Sequence, residues 1–175
     1  MRLWLRLFWR IITARFRSRC SLLGPCESHF RVLPNDLDAN MHMNNGVYLT
    51  IADLGRFDLI FRSGSVGIFY RKRWLPVVAR QTIRFKRSLG VFQRYTITSR
   101  IIGFDERSIF IEQLFTSKGH FVAKLIVDAR FMEKGKPVRP AAVIEATGID
   151  PAEVHTRPWL ADWLAVQHTL EADSE

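Results

Sequence analysis

The segment 46–62 is apolar on nearly every face of a helix, and this pattern constrains the fold more than any other in the chain. It runs from Gly46 through VYLTIADLGRFDLIF to Arg62, with apolar residues at helical spacing all round. A helix that is hydrophobic all round is buried, so the rest of the chain has to enclose it. Gly64 is expected to cap its C terminus. Gly55 is the residue in this segment that favours a helix least.

The spacing of apolar residues changes from a helical period to a period of about 2 beyond this helix. Four strand-like runs follow: 79–86, 92–102, 108–115 and 120–131. A short run at 30–33, before the helix, adds a fifth strand. The stretch 67–74 is ambiguous, and Pro76 is expected to break whatever precedes it. These patterns predict an α+β fold with about five antiparallel strands around one long buried helix.

The chain of 175 residues supports one domain with a tail at either end. We expect the domain to occupy residues 27–139, between a segment at 1–26 and a helical tail at 140–175. The tail contains a predicted short helix at 158–170, with Trp159, Leu160 and Trp163 on one side for packing or for contact with a partner. Two cysteines are too few for a disulfide scaffold, and their spacing does not fit a metal knuckle.

The formal net charge of +9 is concentrated at the N terminus. Six arginines precede the first acidic residue, Glu27, and the remaining residues are only mildly basic. A nucleic-acid-binding domain carries a basic face of its own. The distribution of charge therefore argues against a nucleic-acid partner.

The segment 3–16 has the pattern of a basic amphipathic helix, because its arginines form one stripe and Leu, Ile, Phe and Trp cover the rest. Such a helix would be about 21 Å long, shorter than the roughly 30 Å hydrocarbon core of a bilayer. We expect residues 1–19 to lie in the interface of a membrane, with the arginines toward anionic headgroups. This predicts a cytoplasmic, peripherally membrane-associated protein. A helix docked on the protein's own surface and a mitochondrial targeting peptide are the alternatives.

A polar loop at 35–48 reads NDLDANMHMNNGVY and separates the first strand from the helix. It concentrates two carboxylates, one imidazole and four carboxamides at the helix N terminus. The first amides of a helix are unpaired donors with partial positive charge. They are expected to hold a reacting carbonyl oxygen.

The loop resembles that of hot-dog thioesterases. D-x-D followed by N-x-x-Y is the pattern of the 4-hydroxybenzoyl-CoA thioesterase-like branch, and D-x-N-x-H-x-N-N-x-x-Y is that of plant acyl-ACP thioesterases. The resemblance covers about residues 27–137 and implies a hot-dog fold. It also implies that Asp38 is the catalytic acid, acting as nucleophile or general base, and that Asn40 and His42 position water and substrate. The plant enzymes carry further functional residues in a second repeat that is absent here.

Substrate contacts are expected from the residues around this loop and from a basic edge on the later strands, where phosphates of coenzyme A or an acidic carrier protein could bind. A solvated strand face is the alternative for the basic residues. The candidate substrate-binding residues are Asn44, Asn45, Gly46, Tyr48, Arg84, Lys86 and Arg87.

Several of these side chains also have structural alternatives. Asp36 is assigned to an Asx turn, and Asn44 or Asn45 is expected to be the N-cap of the helix or to contact substrate. His42 could instead be a buried, hydrogen-bonded histidine. Asp53 and Asp58 rank below Asp38 as catalytic acids, since Asp53 and Arg56 have the spacing of a helix ion pair.

The combined interpretation is a hydrolase that cleaves acyl-CoA or acyl-ACP and needs neither metal nor cofactor. A homodimer or homotetramer is expected, because one hot-dog copy leaves the sheet edge and the acyl tunnel incomplete. A non-catalytic lipid-binding or scaffold protein with the same fold is the alternative. Removal of residues 1–26 is expected to leave the site at Asp38 intact.

Overall fold

The computed structural model describes residues 2–14 and 16–172, which form one antiparallel sheet and a set of helices. The predicted α+β fold is confirmed. The helices are α1 (Arg2–Ala14), α2 (Asn45–Arg62), α3 (Val66–Lys72), α4 (Pro140–Ala146) and α5 (Trp159–Ala172). The strands are β1 (Cys26–Arg31), β2 (Trp74–Phe85), β3 (Arg94–Phe104), β4 (Ile109–Ser117), β5 (His120–Glu133) and β6 (Lys136–Val138).

The sheet has the order β1-β3-β4-β5-β2, and the short β6 pairs with β5. The five long strands correspond to the five that the sequence predicts, although β1 begins earlier and β2 is longer. Every pairing between neighbouring strands is antiparallel. β2 lies at one edge of the sheet and β1 at the other.

The central helix α2 begins one residue before the predicted start and ends at the predicted residue. Its buried side chains include Tyr48, Ile51 and Leu54, which pack against the inner face of the sheet. Gly55 is required by this packing, since a Cβ there would lie 2.9 Å from Gln113 Nε2. Gly64 follows the helix with φ of +80°, as its predicted capping role requires.

Pro76 does not break the chain as the sequence predicts, because it lies inside β2, opposite Phe131 of β5. An edge strand tolerates proline, since one side of the strand needs no partner for its amide. The ambiguous stretch before it forms α3, and β2 starts at Trp74.

The N-terminal helix α1 packs against α2, with Leu7 next to the main core. Its outward side is apolar: Trp4, Leu5, Phe8 and Trp9 are between 64% and 74% exposed. The sequence predicts that the arginines face away from the domain, toward lipid headgroups. This prediction is wrong for Arg6 and Arg17. Arg6 and Arg17 instead form ion pairs with buried carboxylates of the domain. None of the helices in the described residues is long and apolar enough to cross a membrane.

The segment between α1 and β1 contributes Leu22, which is 6% exposed, to the domain's second core cluster. Cys26, the first residue of β1, belongs to the same cluster and is 1% exposed. Cys20 and Cys26 form a disulfide, which the cysteine count alone does not predict. The C-terminal α5 packs on the opposite face of the sheet from α2. There the fully buried Leu160 contacts a third core cluster, and Trp163 lies 6.1 Å from Phe110 between ring centroids.

Candidate active site

The polar loop is held in one conformation by backbone hydrogen bonds across its base. After a 3-10 turn at Pro34–Asp36, Leu37 forms a bridge with Met43, and the Asn44 N–H donates to the Asp36 carbonyl oxygen at 2.8 Å. The Met43 N–H donates to the carbonyl oxygen of Leu89 at 2.8 Å. The loop is thus anchored both to itself and to the turn between β2 and β3.

Asp38 lies inside this loop and uses one carboxylate oxygen to organise it. Oδ1 accepts the backbone N–H of Asn40 at 2.9 Å and that of His42 at 3.3 Å. The Asp38 N–H donates to the His42 carbonyl oxygen at 2.8 Å. Within the described residues, Oδ2 has no hydrogen-bond partner, so it is the oxygen that can act on a bound molecule.

A polar cavity of about 290 Å³ brings the three candidate catalytic residues together. The side chains of Asp38, Asn40 and His42 form one wall, and residues that follow β2 form another. The sequence does not identify Phe85 and Ser88 as neighbours of this site, because only the pairing of the loop with residues 89–90 places them there. The lining consists of Asp38, Asn40, His42, Met43, Asn45, Tyr48, Phe85, Lys86, Arg87 and Ser88.

His42 is exposed, so the alternative of a buried, hydrogen-bonded histidine is wrong. Its backbone forms a bridge with Gly90, which fixes the position of the residue in the wall of the cavity. Asn40 is exposed on the same wall. Both side chains are therefore available to water and to a bound molecule.

Asn44 is the N-cap of α2, and its Oδ1 accepts the Gly46 N–H at 2.9 Å. The Asn44 carbonyl oxygen accepts the Val47 N–H at 2.9 Å. The expected N-cap is therefore Asn44, and the Gly46 and Val47 amides are not free to bind a substrate oxygen. Among the described residues, the Asn45 N–H has no acceptor, and the Asn45 side chain lines the cavity.

Tyr48 closes the inner end of the cavity and is 1% exposed. Its ring contacts Phe85 edge-on, with the ring centroids 5.0 Å apart, and lies 5.4 Å from Phe115. Burial raises the pKa of Tyr48 to about 12, against the opposing effect of a backbone hydrogen bond with Leu89. The phenol is therefore neutral at any physiological pH and is not a general base.

Two of the three candidate phosphate-binding residues reach this cavity. Lys86 and Arg87 line it, and their backbone N–H groups both donate to the Val122 carbonyl oxygen, at 2.8 and 3.1 Å. Arg84 lies earlier on β2, opposite Lys124 of β5, and is not part of the cavity wall.

The other carboxylates on the loop and on α2 have structural contacts. Asp36 Oδ2 accepts the Leu33 N–H at 2.8 Å and pairs with Arg6. Asp53 pairs with Arg56, as its spacing predicts.

Asp58 is 1% exposed and is the most fully buried of these groups. Its Oδ2 accepts the Ser28 hydroxyl at 2.6 Å and lies 3.2 and 3.3 Å from guanidinium nitrogens of Arg17 and Arg62. These contacts place Asp58 in the core beside β1, away from the polar cavity.

A second cavity, of about 130 Å³, lies between α2 and the sheet toward the far end of the helix. Its wall is almost entirely apolar and includes Phe57, Phe69 and Phe131, with Pro76–Val78 of the edge strand at one side. Asp53 and Arg56 are the charged residues that line it. No group of three potential metal ligands occurs among residues 2–14 and 16–172.

Comparison with known proteins identifies relatives over most of the chain. The family model described as Thioesterase-like superfamily matches residues 32–164. Protein THEM6 of Danio rerio is 33% identical over 177 residues, which cover 97% of this chain and 86% of that protein.

Solved structures share the fold. A probable thioesterase from Bartonella henselae gives a TM-score of 0.60 at 22% identity, covering 66% of this chain and 98% of that one. A thioesterase from Thermus thermophilus, complexed with coenzyme A and Zn, gives a TM-score of 0.60 at 26% identity and covers 69% of this chain and 90% of that one. The predicted hot-dog fold is confirmed.

Proposed function

Because this chain belongs to the thioesterase-like superfamily, we propose that it hydrolyses acyl thioesters to a free acid and a thiol. The observation that carries the proposal is the polar cavity in which Asp38, Asn40 and His42 meet beside the N terminus of α2. Hydrolysis of a thioester needs a carboxylate near the carbonyl carbon and donors near the oxygen. This cavity supplies both.

Asp38 acts through Oδ2 in either of two ways. As a nucleophile it attacks the carbonyl carbon, the thiolate leaves, and water hydrolyses the resulting mixed anhydride. As a general base it takes a proton from a water molecule that attacks the same carbon. The hydrogen bonds that Oδ1 accepts from Asn40 and His42 keep the carboxylate in one orientation. A thiolate is a good leaving group, so neither route needs a strong general acid.

The developing negative charge on the carbonyl oxygen is stabilised at the start of α2. The Asn45 N–H is the donor that remains in the first turn, since the Asn44 cap occupies the amides of Gly46 and Val47. The positive end of the helix dipole adds to this stabilisation. The side chains of Asn40 and His42 complete the donor set from the other wall.

The thiol part of the substrate is coenzyme A or the phosphopantetheine arm of a carrier protein. Lys86 and Arg87 line the cavity and would pair with phosphate groups. The Thermus thermophilus relative that was crystallised with coenzyme A supports acyl-CoA as the first substrate to test. Arg84 lies outside the cavity and would contact only the outer end of such a ligand.

A second copy of the chain completes the site. The edge strand β2 is twelve residues long and exposes Leu75, Val78 and Phe85. Antiparallel pairing of β2 with the same strand of a partner would place the Phe85 end of one copy beside the Trp74 end of the other. The polar cavity, which includes Phe85, would then adjoin the partner's apolar cavity, which includes Pro76–Val78. The thioester would bind in the first cavity and its acyl chain in the second.

The outward face of α1 would place this enzyme on a lipid surface. Trp4, Phe8 and Trp9 are each at least 64% exposed on that face. A cluster of exposed apolar side chains of this kind marks a surface that binds a membrane or another protein. Tryptophan is enriched at the boundary between lipid and water, and an amphipathic helix of this kind lies in that boundary. The proposed enzyme is therefore a peripheral membrane protein.

The decisive experiment is a panel of acyl-CoA substrates tested with the wild type and with Asp38→Asn. Release of free thiol by the wild type, lost in the variant, supports a thioesterase. Equal rates in both proteins would reject Asp38 as the catalytic acid. Binding of acyl-CoA with no hydrolysis by the wild type would favour a lipid-binding protein with the same fold.

A further inference from the structure

One side of α1 is tied to the base of the loop that carries Asp38. Arg6 Nη2 donates to Asp36 Oδ2 at 2.7 Å, and the two side chains are 20% and 6% exposed. Removing one partner from a buried ion pair is strongly unfavourable, because the other charge is left uncompensated. Arg6 is the cation that pairs with Asp36 in the described part of the chain.

Asp36 in turn joins the two ends of the loop. Its carboxylate accepts the Leu33 N–H at 2.8 Å before the loop, and its carbonyl oxygen accepts the Asn44 N–H at 2.8 Å after the loop. Asp38 lies between these two anchors, and Asn44 is also the cap of α2. A displacement of Asp36 would therefore change the position of Asp38 relative to the Asn45 N–H.

The contact that Arg6 makes depends on α1 being docked. A helix of 13 residues is marginally stable in water on its own, and α1 is held by a limited set of contacts that includes Leu7 and Arg6. When α1 is docked, Trp4, Phe8 and Trp9 point away from the domain. The domain and a lipid surface can thus hold α1 at the same time. A lipid surface that orders α1 as a helix removes the cost of forming that helix on docking, and in this way it favours the docked state.

We propose that Arg6 is a positioning residue for the active-site loop and that a lipid surface raises turnover through it. Arg6 does not line the cavity; it acts through Asp36. The proposal rests on the thioesterase function proposed above and adds a control of that function by α1. It also replaces the expectation that residues 1–26 are dispensable for hydrolysis.

The first test compares steady-state kinetics of full-length variants with a short-chain acyl-CoA that remains in water. Arg6→Gln should lower kcat between about 10- and 100-fold, as small misplacements of catalytic groups do, with little change in KM. Arg6→Lys should recover most of the loss. Arg17→Gln is the matched control and should behave as the wild type, because Asp58 keeps Arg62 and the Ser28 hydroxyl. An unchanged kcat in Arg6→Gln would overturn the proposal.

The second test adds vesicles of equal parts phosphatidylcholine and phosphatidylserine to the same assay. The wild type should gain turnover on binding them, whereas Arg6→Gln should bind them and gain none. A purely structural role for Arg6 would not remove the response to vesicles. A wild-type rate that does not change on binding, or an equal gain in both proteins, would overturn the proposal.

The third test is hydrogen exchange, which does not depend on activity. In Arg6→Gln the amides of Asp38 and Asn44 should lose protection, because they donate within the loop, while amides in β4 and β5 should not change. If the wild type hydrolyses no acyl-CoA but this loss is observed, the thioesterase proposal fails and the positioning role of Arg6 stands. Unchanged protection at both loop amides would overturn that role.

Discussion

Asp38 Oδ1 accepts a hydrogen bond from the backbone N–H of Asn40 at 2.9 Å. The same oxygen accepts the His42 N–H at 3.3 Å, so Oδ1 maintains the loop. Oδ2 has no hydrogen-bond partner among the described residues, and Asp38 lines the cavity. An asparagine at this position can keep the acceptor, but it cannot act as a nucleophile or as a general base. The two roles of Asp38 can therefore be separated by substitution.

Asp38→Asn should lower kcat by about 10²- to 10⁴-fold, the usual contribution of a positioned base, and leave the thermal midpoint nearly unchanged. Asp38→Ala should lose the same activity and also about 1 kcal/mol of stability, because the loop amides lose their acceptor. Thiol release and thermal unfolding measure the two effects. Near-normal turnover in Asp38→Asn would contradict the assignment.

The proposed dimer predicts that a charge on β2 separates the subunits. Leu75 is 63% exposed on this edge strand and is not among the residues that line the two cavities, so Leu75→Lys should weaken pairing of β2 with a second copy. Sedimentation velocity should show a shift toward monomer, with activity declining in parallel. Val166→Lys on α5 is the control, since that valine is 58% exposed and lies off the edge strand. A fully active wild-type monomer would exclude the shared site.

The long helix and most strands were predictable because each has a local pattern that agrees with its final environment. The segment 46–62 is apolar all round and is enclosed by the sheet, so its boundaries follow from spacing alone. The sequence does not show that Pro76 can lie inside a strand, because a proline is tolerated there only if β2 is an edge strand. The order of strands in a sheet depends on the whole chain, and no local sequence pattern predicts it.

The candidate site was predictable to a similar extent. The loop motif identifies Asp38, Asn40 and His42, and it offers Asn44 and Asn45 as candidates for the N-cap. It does not decide between them, and the structure assigns the cap to Asn44. The sequence also does not predict that Arg6 faces the domain, because its partner Asp36 is thirty residues away in sequence. An arginine in an amphipathic helix has the same local pattern whether it faces a phosphate or a buried carboxylate.

The raised pKa of Tyr48 predicts a loss of stability at alkaline pH. Burial raises this pKa from 10.0 to about 12, so the folded protein holds the phenolic proton more tightly than the unfolded chain does. Its contribution to stability is therefore complete below pH 10.0 and declines as the pH rises toward about 12.

Tyr48→Phe keeps the ring contacts with Phe85 and Phe115 and has no proton to lose. Between about pH 9 and about pH 11 its free energy of unfolding should fall by roughly 1 kcal/mol less than that of the wild type. Urea unfolding at the two pH values measures this difference. Parallel losses in both proteins would show that Tyr48 does not titrate abnormally.

The exposed face of α1 predicts binding to lipid through aromatic side chains. Trp4 and Phe8 are 74% and 64% exposed, so Trp4→Asp combined with Phe8→Asp should abolish co-sedimentation with anionic vesicles without unfolding the domain. Tyr70→Asp is the control, because Tyr70 is 85% exposed on α3. Salt should weaken binding of the wild type, because it screens the attraction between basic side chains and anionic lipid. It should not eliminate binding, because Arg6 and Arg17 are already paired inside the protein and the contribution of the apolar side chains does not depend on ionic strength. Resistance of the wild type to extraction by both salt and alkaline carbonate would contradict an interfacial helix, as would vesicle binding that survives the double substitution.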